Sequence, residues 1–376
     1  MKKKEDVVKK KKGCEDMETK KKILVIDDSA FMRRVISDII NGDTRCEVVG
    51  TAANGEDGLK LIAELKPDVI TLDVQMPIMD GLTMLKTMKK KYNIPVIMMS
   101  TLTKEGATET IQSLELGAFD FVAKPDNIFK VNSQEIRKEL IEKIMAATQC
   151  CVKYEAPQKS RVIRKIEPSQ EVVKPTQRKV SNDKVSKLVA IGTSTGGPRA
   201  LQYLLPYLPK DIDAGIVIVQ HMPPGFTKSL ADRLNNLSQI QVKEAEDGER
   251  ILKGTAYIAP GDRHLVVKQK GHDYVVHLSD GPKEGAHKPS VNVMMTSLSD
   301  ISIQHLIGVI MTGMGADGRD GLAALKQKRD IHVIAQEETS CVVYGMPKAI
   351  VEAKLADDII PLDQLAKVIT KKVEVL

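Results

Sequence analysis

Three side chains of this 376-residue sequence stand at spacings suited to nucleophilic acyl chemistry. Gly192-Thr193-Ser194-Thr195-Gly196 fits the pattern G-x-S-x-G. It follows the apolar run 188–192 and precedes a predicted helix start. Small flanking residues allow a serine to sit on a sharp strand-to-helix turn, and the free N–H groups of the helix start can face a developing oxyanion. Such a serine needs a base and an acid that orients the base. His221 closes the next apolar run, 215–221, and Asp317 lies in a glycine loop after the run that begins at Val309. Three partners at three strand ends point to a triad in the chain order Ser, His, Asp, which differs from the α/β-hydrolase order. A glycine-rich strand-to-helix turn can instead bind a phosphate or dinucleotide. Here Gly192 and Gly197 frame a GxxxxG loop, but Pro198 and Arg199 follow where a Walker A would have Lys-Ser/Thr, and G-x-G-x-x-G spacing is absent.

A second constellation lies nearer the start. Asp27 and Asp28 close one apolar run, Asp73 a second, Ser100 a third and Lys124 a fourth. In an open parallel sheet the C-terminal strand ends share one rim, where ligands bind. Three carboxylates there repel one another unless a cation sits among them, and a hard divalent ion with oxygen ligands, Mg2+ above all, answers that. A carboxylate beside a metal and a lysine can attack phosphorus and become an aspartyl phosphate.

The elements that must position these groups follow from periodicity. From 22 to 148 the pattern predicts strands at 23–27, 46–52, 68–73, 95–100 and 119–124. Helices alternate with them at 30–40, 55–65, 81–90, 106–116 and 134–147. Five strands alternating with five helices predict a doubly wound (βα)5 domain. Residues 149–186 lack sustained periodicity and read as a linker. From 187 to 376 the pattern is again α/β. Strands are expected at 188–192, 215–221, 241–245, 306–312 and 331–335, and helices at 199–207, 226–237, 291–298 and 318–328. Several short runs over 250–280 read as an antiparallel β insertion into a parallel-sheet domain.

The formal charge is +6, yet residues 1–22 carry +5 and residues 153–187 carry +6, so the rest is net −5. Basicity therefore belongs to a tail at 1–21, expected to be disordered, and to the linker. A nucleic-acid reader would carry it on a folded face. That weakens a DNA-binding output domain, the main competing class. The five cysteines form no CxxC pair, which favours a reducing cytosol over a disulfide framework or a zinc site. No apolar run follows the Lys-rich start and none is long enough for a membrane span, so a cytoplasmic protein without membrane insertion is expected.

The first domain resembles the receiver domain of two-component response regulators. The matching pieces are Ile-Leu-Val-Ile-Asp-Asp-Ser (23–29), Asp-Val-Ile-Thr-Leu-Asp (68–73), Met-Pro-Ile-Met-Asp-Gly (76–81), Val-Ile-Met-Met-Ser (96–100) and Phe-Val-Ala-Lys-Pro (121–125). The resemblance implies a phosphoprotein with Asp73 as phosphoacceptor, Asp27, Asp28 and Asp73 as Mg2+ ligands, Ser100 as the hydroxyl switch and Lys124 as the phosphate-contacting lysine. A histidine kinase would be the phosphodonor. The second domain resembles the catalytic domain of the chemotaxis protein-glutamate methylesterase family (CheB). The resemblance runs through Gly-Thr-Ser-Thr-Gly-Gly (192–197), Gln-His-Met-Pro-Pro-Gly-Phe-Thr (220–227), Lys-Pro-Ser-Val-Asn (288–292) and Met-Thr-Gly-Met-Gly-Ala-Asp-Gly (311–318). It implies Ser194 as nucleophile, His221 as general base and acid, Asp317 as its orienting partner, and the N–H groups of Thr195 and Met314 as oxyanion hole. Substrates would be γ-methyl glutamyl residues of methyl-accepting chemoreceptors, with glutamines deamidated by the same chemistry and no cofactor needed for hydrolysis. No nucleic-acid partner is implied. Thr193 stands where Ala is commoner, and Asn292 where the family usually has Asp, which puts fine substrate contacts in question.

Overall fold

A computed structural model describes residues 19–124, 134–149 and 185–375. The basic tail lies outside them up to residue 18, as does the expected linker apart from residues 149, 185 and 186. The first sheet is parallel, in the order β2-β1-β3-β4-β5. Its strands are β1 (Lys21–Ile26), β2 (Cys46–Ala52), β3 (Val69–Asp73), β4 (Val96–Ser100) and β5 (Asp120–Ala123). Helices α1 (Ala30–Asn41), α2 (Gly55–Leu65), α3 (Gly81–Met88), α4 (Lys104–Glu115) and α5 (Gln134–Gln149) alternate with them. The starts of α1 to α4 are fixed by side chains: Ser29, Asn54, Asp80 and Thr103 each accept a backbone N–H three residues on. Strand side chains alternate between two cores. Ile23 and Val25 pack with Ile36, Ile40, Leu140 and Ile144 of α1 and α5. Leu24 and Ile26 pack with α2, α3 and α4.

The second sheet has seven strands in the order β14-β13-β12-β6-β7-β9-β8, with every pairing parallel. They are β6 (Lys187–Thr193), β7 (Gly215–Gln220), β8 (Gln241–Glu244), β9 (Thr255–Ile258), β12 (His305–Ile310), β13 (His332–Gln336) and β14 (Asp358–Ile360). Strands β10 (His264–Lys270) and β11 (Asp273–Ser279) pair antiparallel as a separate hairpin. So the expected insertion is antiparallel only in its second half. β9 instead joins the main sheet, because its fully buried Thr-Ala-Tyr-Ile suits a two-sided core. Helices α6 (Gly197–Leu204), α7 (Phe226–Leu237) and α11 (Leu362–Val375) cover one face. Helices α8 (Val291–Ser297), α9 (Arg319–Lys328) and α10 (Met346–Glu352) cover the other with the hairpin. Periodicity predicts none of α10, β14 and α11.

The two sheets share one apolar core, since α4 packs on α6 and α7. Phe121 of β5 stacks on Phe226 at the start of α7, with ring centroids 4.7 Å apart. Glu115 accepts from Arg233 Nε and Nη2 at 2.5 and 3.0 Å and from Gln202 Nε2 at 3.2 Å.

Candidate active and phosphorylation sites

The first rim holds the acidic constellation. Asp27 follows β1, Asp73 ends β3, Ser100 ends β4 and Lys124 follows β5. Lys124 Nζ lies 2.7 Å from Asp27 Oδ2 and 2.8 Å from Asp73 Oδ2. Burial pushes the Asp73 carboxyl up to about 6, although the Lys124 ammonium pulls against it. Carboxylate oxygens of Asp27, Asp28 and Asp73 lie within 4.8 Å of one another. Asp27 and Asp73 are buried while Asp28 is exposed. Three hard oxygen donors around one point, open on one side, fit a divalent cation. The Ser100 hydroxyl is fully buried, donating to the Gly106 carbonyl at 3.1 Å and accepting from Thr110 Oγ1 at 2.6 Å.

The second rim is built on three adjacent strands, β12, β6 and β7, with β6 in the middle. Ser194 immediately follows β6, and His221 immediately follows β7, its N–H donating to Thr193 O at 3.1 Å. Asp317 sits in the loop after β12. The turn after β6 needs Gly196 in the left-handed region (φ 79°), where a Cβ would fall 2.6 Å from Val342. The Ser194 backbone is tied on both sides: its N–H donates to Thr312 O, and its carbonyl accepts from Gly197 N and Gln220 Nε2. Gly313 passes so close that a Cβ there would sit 2.9 Å from Ser194 Cβ.

Asp317 Oδ2 lies 2.8 Å from His221 Nε2. The start of α8 cradles the same carboxylate. Asp317 Oδ1 accepts from Ser290 Oγ at 3.0 Å and Asn292 N at 2.9 Å, and Oδ2 accepts from Val291 N at 2.7 Å. Burial opposes its charge, yet the His221 ring and these N–H groups hold the carboxyl down at about 2. The other nitrogen of His221 is buried and has no hydrogen-bond partner among the described residues. Ser194 and His221 follow the neighbouring strands β6 and β7. The N–H groups of Thr195 and Met314 donate to no backbone group among the described residues.

Sequence reasoning missed the cradle formed by Ser290, Val291 and Asn292. The signal that could have found it is a serine directly before the helix predicted at 291–298, a preferred N-cap type; in the structure Ser290 accepts the Val293 N–H at 3.4 Å. Asn292 acts within the fold: its Oδ1 takes the N–H groups of Gly318 and Gly321 at the start of α9, 2.8 Å each.

The receiver-like unit reaches this rim. Thr195 Oγ1 donates to Asp120 Oδ2 at 2.8 Å, joining the start of β5 to the residue after Ser194. Lys143 Nζ lies 3.5 Å from Asp120 Oδ2 and 2.8 Å from Glu139 Oε1. Burial opposes the Lys143 charge, but those two carboxylates hold the ammonium above its usual range.

Residues 189–369 match the family model described as CheB methylesterase, and residues 23–137 match the response regulator receiver domain. The chain is 48% identical over 356 residues to the protein-glutamate methylesterase/protein-glutamine glutaminase of Halalkalibacterium halodurans, covering 95% of this chain and 99% of that one. It is 46% identical over 356 residues to the protein of the same name from Bacillus subtilis, covering 94% and 98%. The crystal structure of the Thermotoga maritima CheB methylesterase catalytic domain is 43% identical, with a TM-score of 0.48, covering 52% of this chain and 100% of that one. The match over 189–369 puts a methylesterase domain where a DNA-binding output domain was the competing expectation. No helix of the described residues is long and apolar enough to cross a membrane.

Proposed function

The chain belongs to the CheB methylesterase family with an N-terminal receiver domain, and from that premise we infer that it hydrolyses γ-methyl glutamyl esters of chemoreceptors under control of phosphorylation at Asp73. Glutamine side chains of the same receptors are deamidated by the same acyl chemistry, and the reaction takes place in the cytoplasm. The observation that carries the site assignment is the Asp317–His221 pair at 2.8 Å, next to the Ser194 turn on adjacent strand ends.

Ser194 Oγ attacks the ester carbonyl carbon while the free His221 nitrogen takes its proton. The resulting oxyanion is received by the N–H groups of Thr195 and Met314. His221 then returns the proton to the methoxy oxygen, methanol leaves, and a Ser194 acyl ester remains. Water attacks that ester as His221 accepts a proton, which frees the glutamate carboxylate and restores Ser194. With glutamine, ammonia leaves in place of methanol. Asp317 keeps the imidazole in the tautomer that presents an acceptor to Ser194 and stabilises its charged form.

At the other rim Asp73 accepts the phosphoryl group from a histidine kinase. Asp27, Asp28 and Asp73 would hold Mg2+, which supplies charge neutralisation for the transferring group. Lys124 pairs with the phosphoryl oxygens, and Ser100 turns towards them. Phosphorylation then weakens the packing of α4, β5 and α5 on the catalytic rim.

The test follows methanol release from methylated receptor with a small phosphodonor. Asp73→Asn removes the activation, on the order of 10- to 100-fold, and leaves the basal rate. Activation that survives Asp73→Asn overturns the phosphoacceptor assignment. A second expectation concerns the interface. Arg233→Glu sets two acids against each other at Glu115 and raises the rate of the unphosphorylated chain by about fivefold. A basal rate equal to wild type would show that this ion pair does not hold the closed arrangement.

A further inference from the structure

The triad leaves one neighbour of His221 unaccounted for. His287 lies flat against its ring, with centroids 3.9 Å apart and planes inclined by 6°. His287 belongs to the segment between β11 and α8. There Glu284 and His287 exchange both backbone N–H···O bonds, 3.1 Å each, closing a tight turn. One buried side chain pins both ends of this segment. His264 Nε2 meets the Pro282 carbonyl at 2.9 Å, and His264 Nδ1 accepts the Ser290 N–H at 3.2 Å. These partners fix its tautomer, with the proton on Nε2. Beyond Ser290 the chain enters α8, whose first residues hold Asp317. The stretch 282–292 thus carries the groups that fix the acid of the triad and the ring that covers its base.

A ring bonded to Asp317 through one nitrogen can still tilt about that bond, and a tilt changes where its other nitrogen points. A flat ring in van der Waals contact removes that freedom. We propose that His287 is a positioning residue for ester hydrolysis, holding the His221 imidazole in the orientation that bonds Asp317 on one side and faces Ser194 on the other. The proposal rests on the triad reading given above.

The charge state of His287 agrees with that role. The groups that face it are His221 and Asp317 at the catalytic rim and Lys138 and Glu139 of α5. Burial pushes the His287 imidazole down to about 4, His221 adds to the effect and Asp317 opposes it. The two α5 charges work against each other, Lys138 downwards and Glu139 upwards. His287 is therefore uncharged while His221 gains and loses its proton. It offers a π face to the imidazolium instead of a second positive charge.

The experiment uses the full chain activated by a small phosphodonor and measures methanol release from methylated receptor between about pH 5.5 and 9. His287→Ala lowers kcat by about 10- to 100-fold, with KM changed less than about twofold. His287→Phe keeps a flat ring without titratable nitrogens, so its kcat stays within about threefold of wild type and its acidic limb does not move. Should the Ala variant fold poorly, the Phe variant decides. A fall to the Ala level means that the imidazole nitrogens are needed, which overturns the positioning role. Wild-type kcat in His287→Ala overturns it, and so does a loss confined to KM, which would mark a substrate contact. Ser194→Ala, run alongside, separates the two readings. If it is active, the triad fails; if it is inactive while His287→Ala is normal, only this proposal fails.

Discussion

Ser194→Ala lowers methanol release by about 10^4-fold or more, in both the resting and the phosphodonor-activated chain. The size follows from losing the covalent route altogether. What remains is the ability of the Thr195 and Met314 N–H groups to stabilise an oxyanion formed by direct attack of water. The fold itself does not use the hydroxyl. The Ser194 N–H and carbonyl make its hydrogen bonds, to Thr312, Gly197 and Gln220, and alanine keeps all of them. Unfolding free energy therefore changes by less than about 0.5 kcal/mol, and Asp73 still takes up a phosphoryl group. The discriminating measurement is turnover of methylated receptor beside a thermal melt. Activity above about 1% of wild type with an unchanged melt would require a different nucleophile.

Both rims were legible because a parallel sheet turns strand ends into addresses. An apolar run that stops at Asp73, Ser194 or His221 states where its last side chain emerges, and the sheet order brings neighbouring ends together. What was not legible has no signature in residue type. The cradle around Asp317 is made largely of the N–H groups of Val291 and Asn292, which any residue but proline would offer. Arg233 and Glu115 meet across 118 positions of sequence, and no periodicity announces that meeting. β9 departs from the expected hairpin because four residues are too few for a hairpin strand to look different from a buried parallel one. Asn292 stands where the resemblance leads one to expect Asp, and on that ground it bears on fine substrate contacts. Its side chain turns instead onto the start of α9.

The cradle carries its own consequence. Asp317→Asn lowers kcat by about 10^3- to 10^4-fold and also destabilises the chain, unlike Ser194→Ala. The carboxylate accepts four hydrogen bonds: Ser290 Oγ and Asn292 N on Oδ1, Val291 N and the His221 ring on Oδ2. Asparagine has one oxygen and one NH2 group. If its NH2 replaces Oδ2, it faces the Val291 N–H and donates to His221, forcing the proton onto the nitrogen that should receive one from Ser194. If its NH2 replaces Oδ1, it faces the Asn292 N–H, and only the Ser290 hydroxyl can turn to accommodate it. Either placement sets two buried donors against each other, at a cost of about 1–3 kcal/mol. The pH dependence has a definite sign. The Asp317 carboxyl is held down at about 2 in the folded chain. Its charge therefore adds stability, about 2 kcal/mol, that is complete above its unfolded value near pH 4 and fades as pH falls through about 2. Denaturant titrations of wild type and Asp317→Asn should differ most at pH 7 and converge towards pH 2. A gap that stayed constant with pH would mean that the variant loses packing and not the charge, and a kcat within about tenfold of wild type would remove Asp317 from the triad.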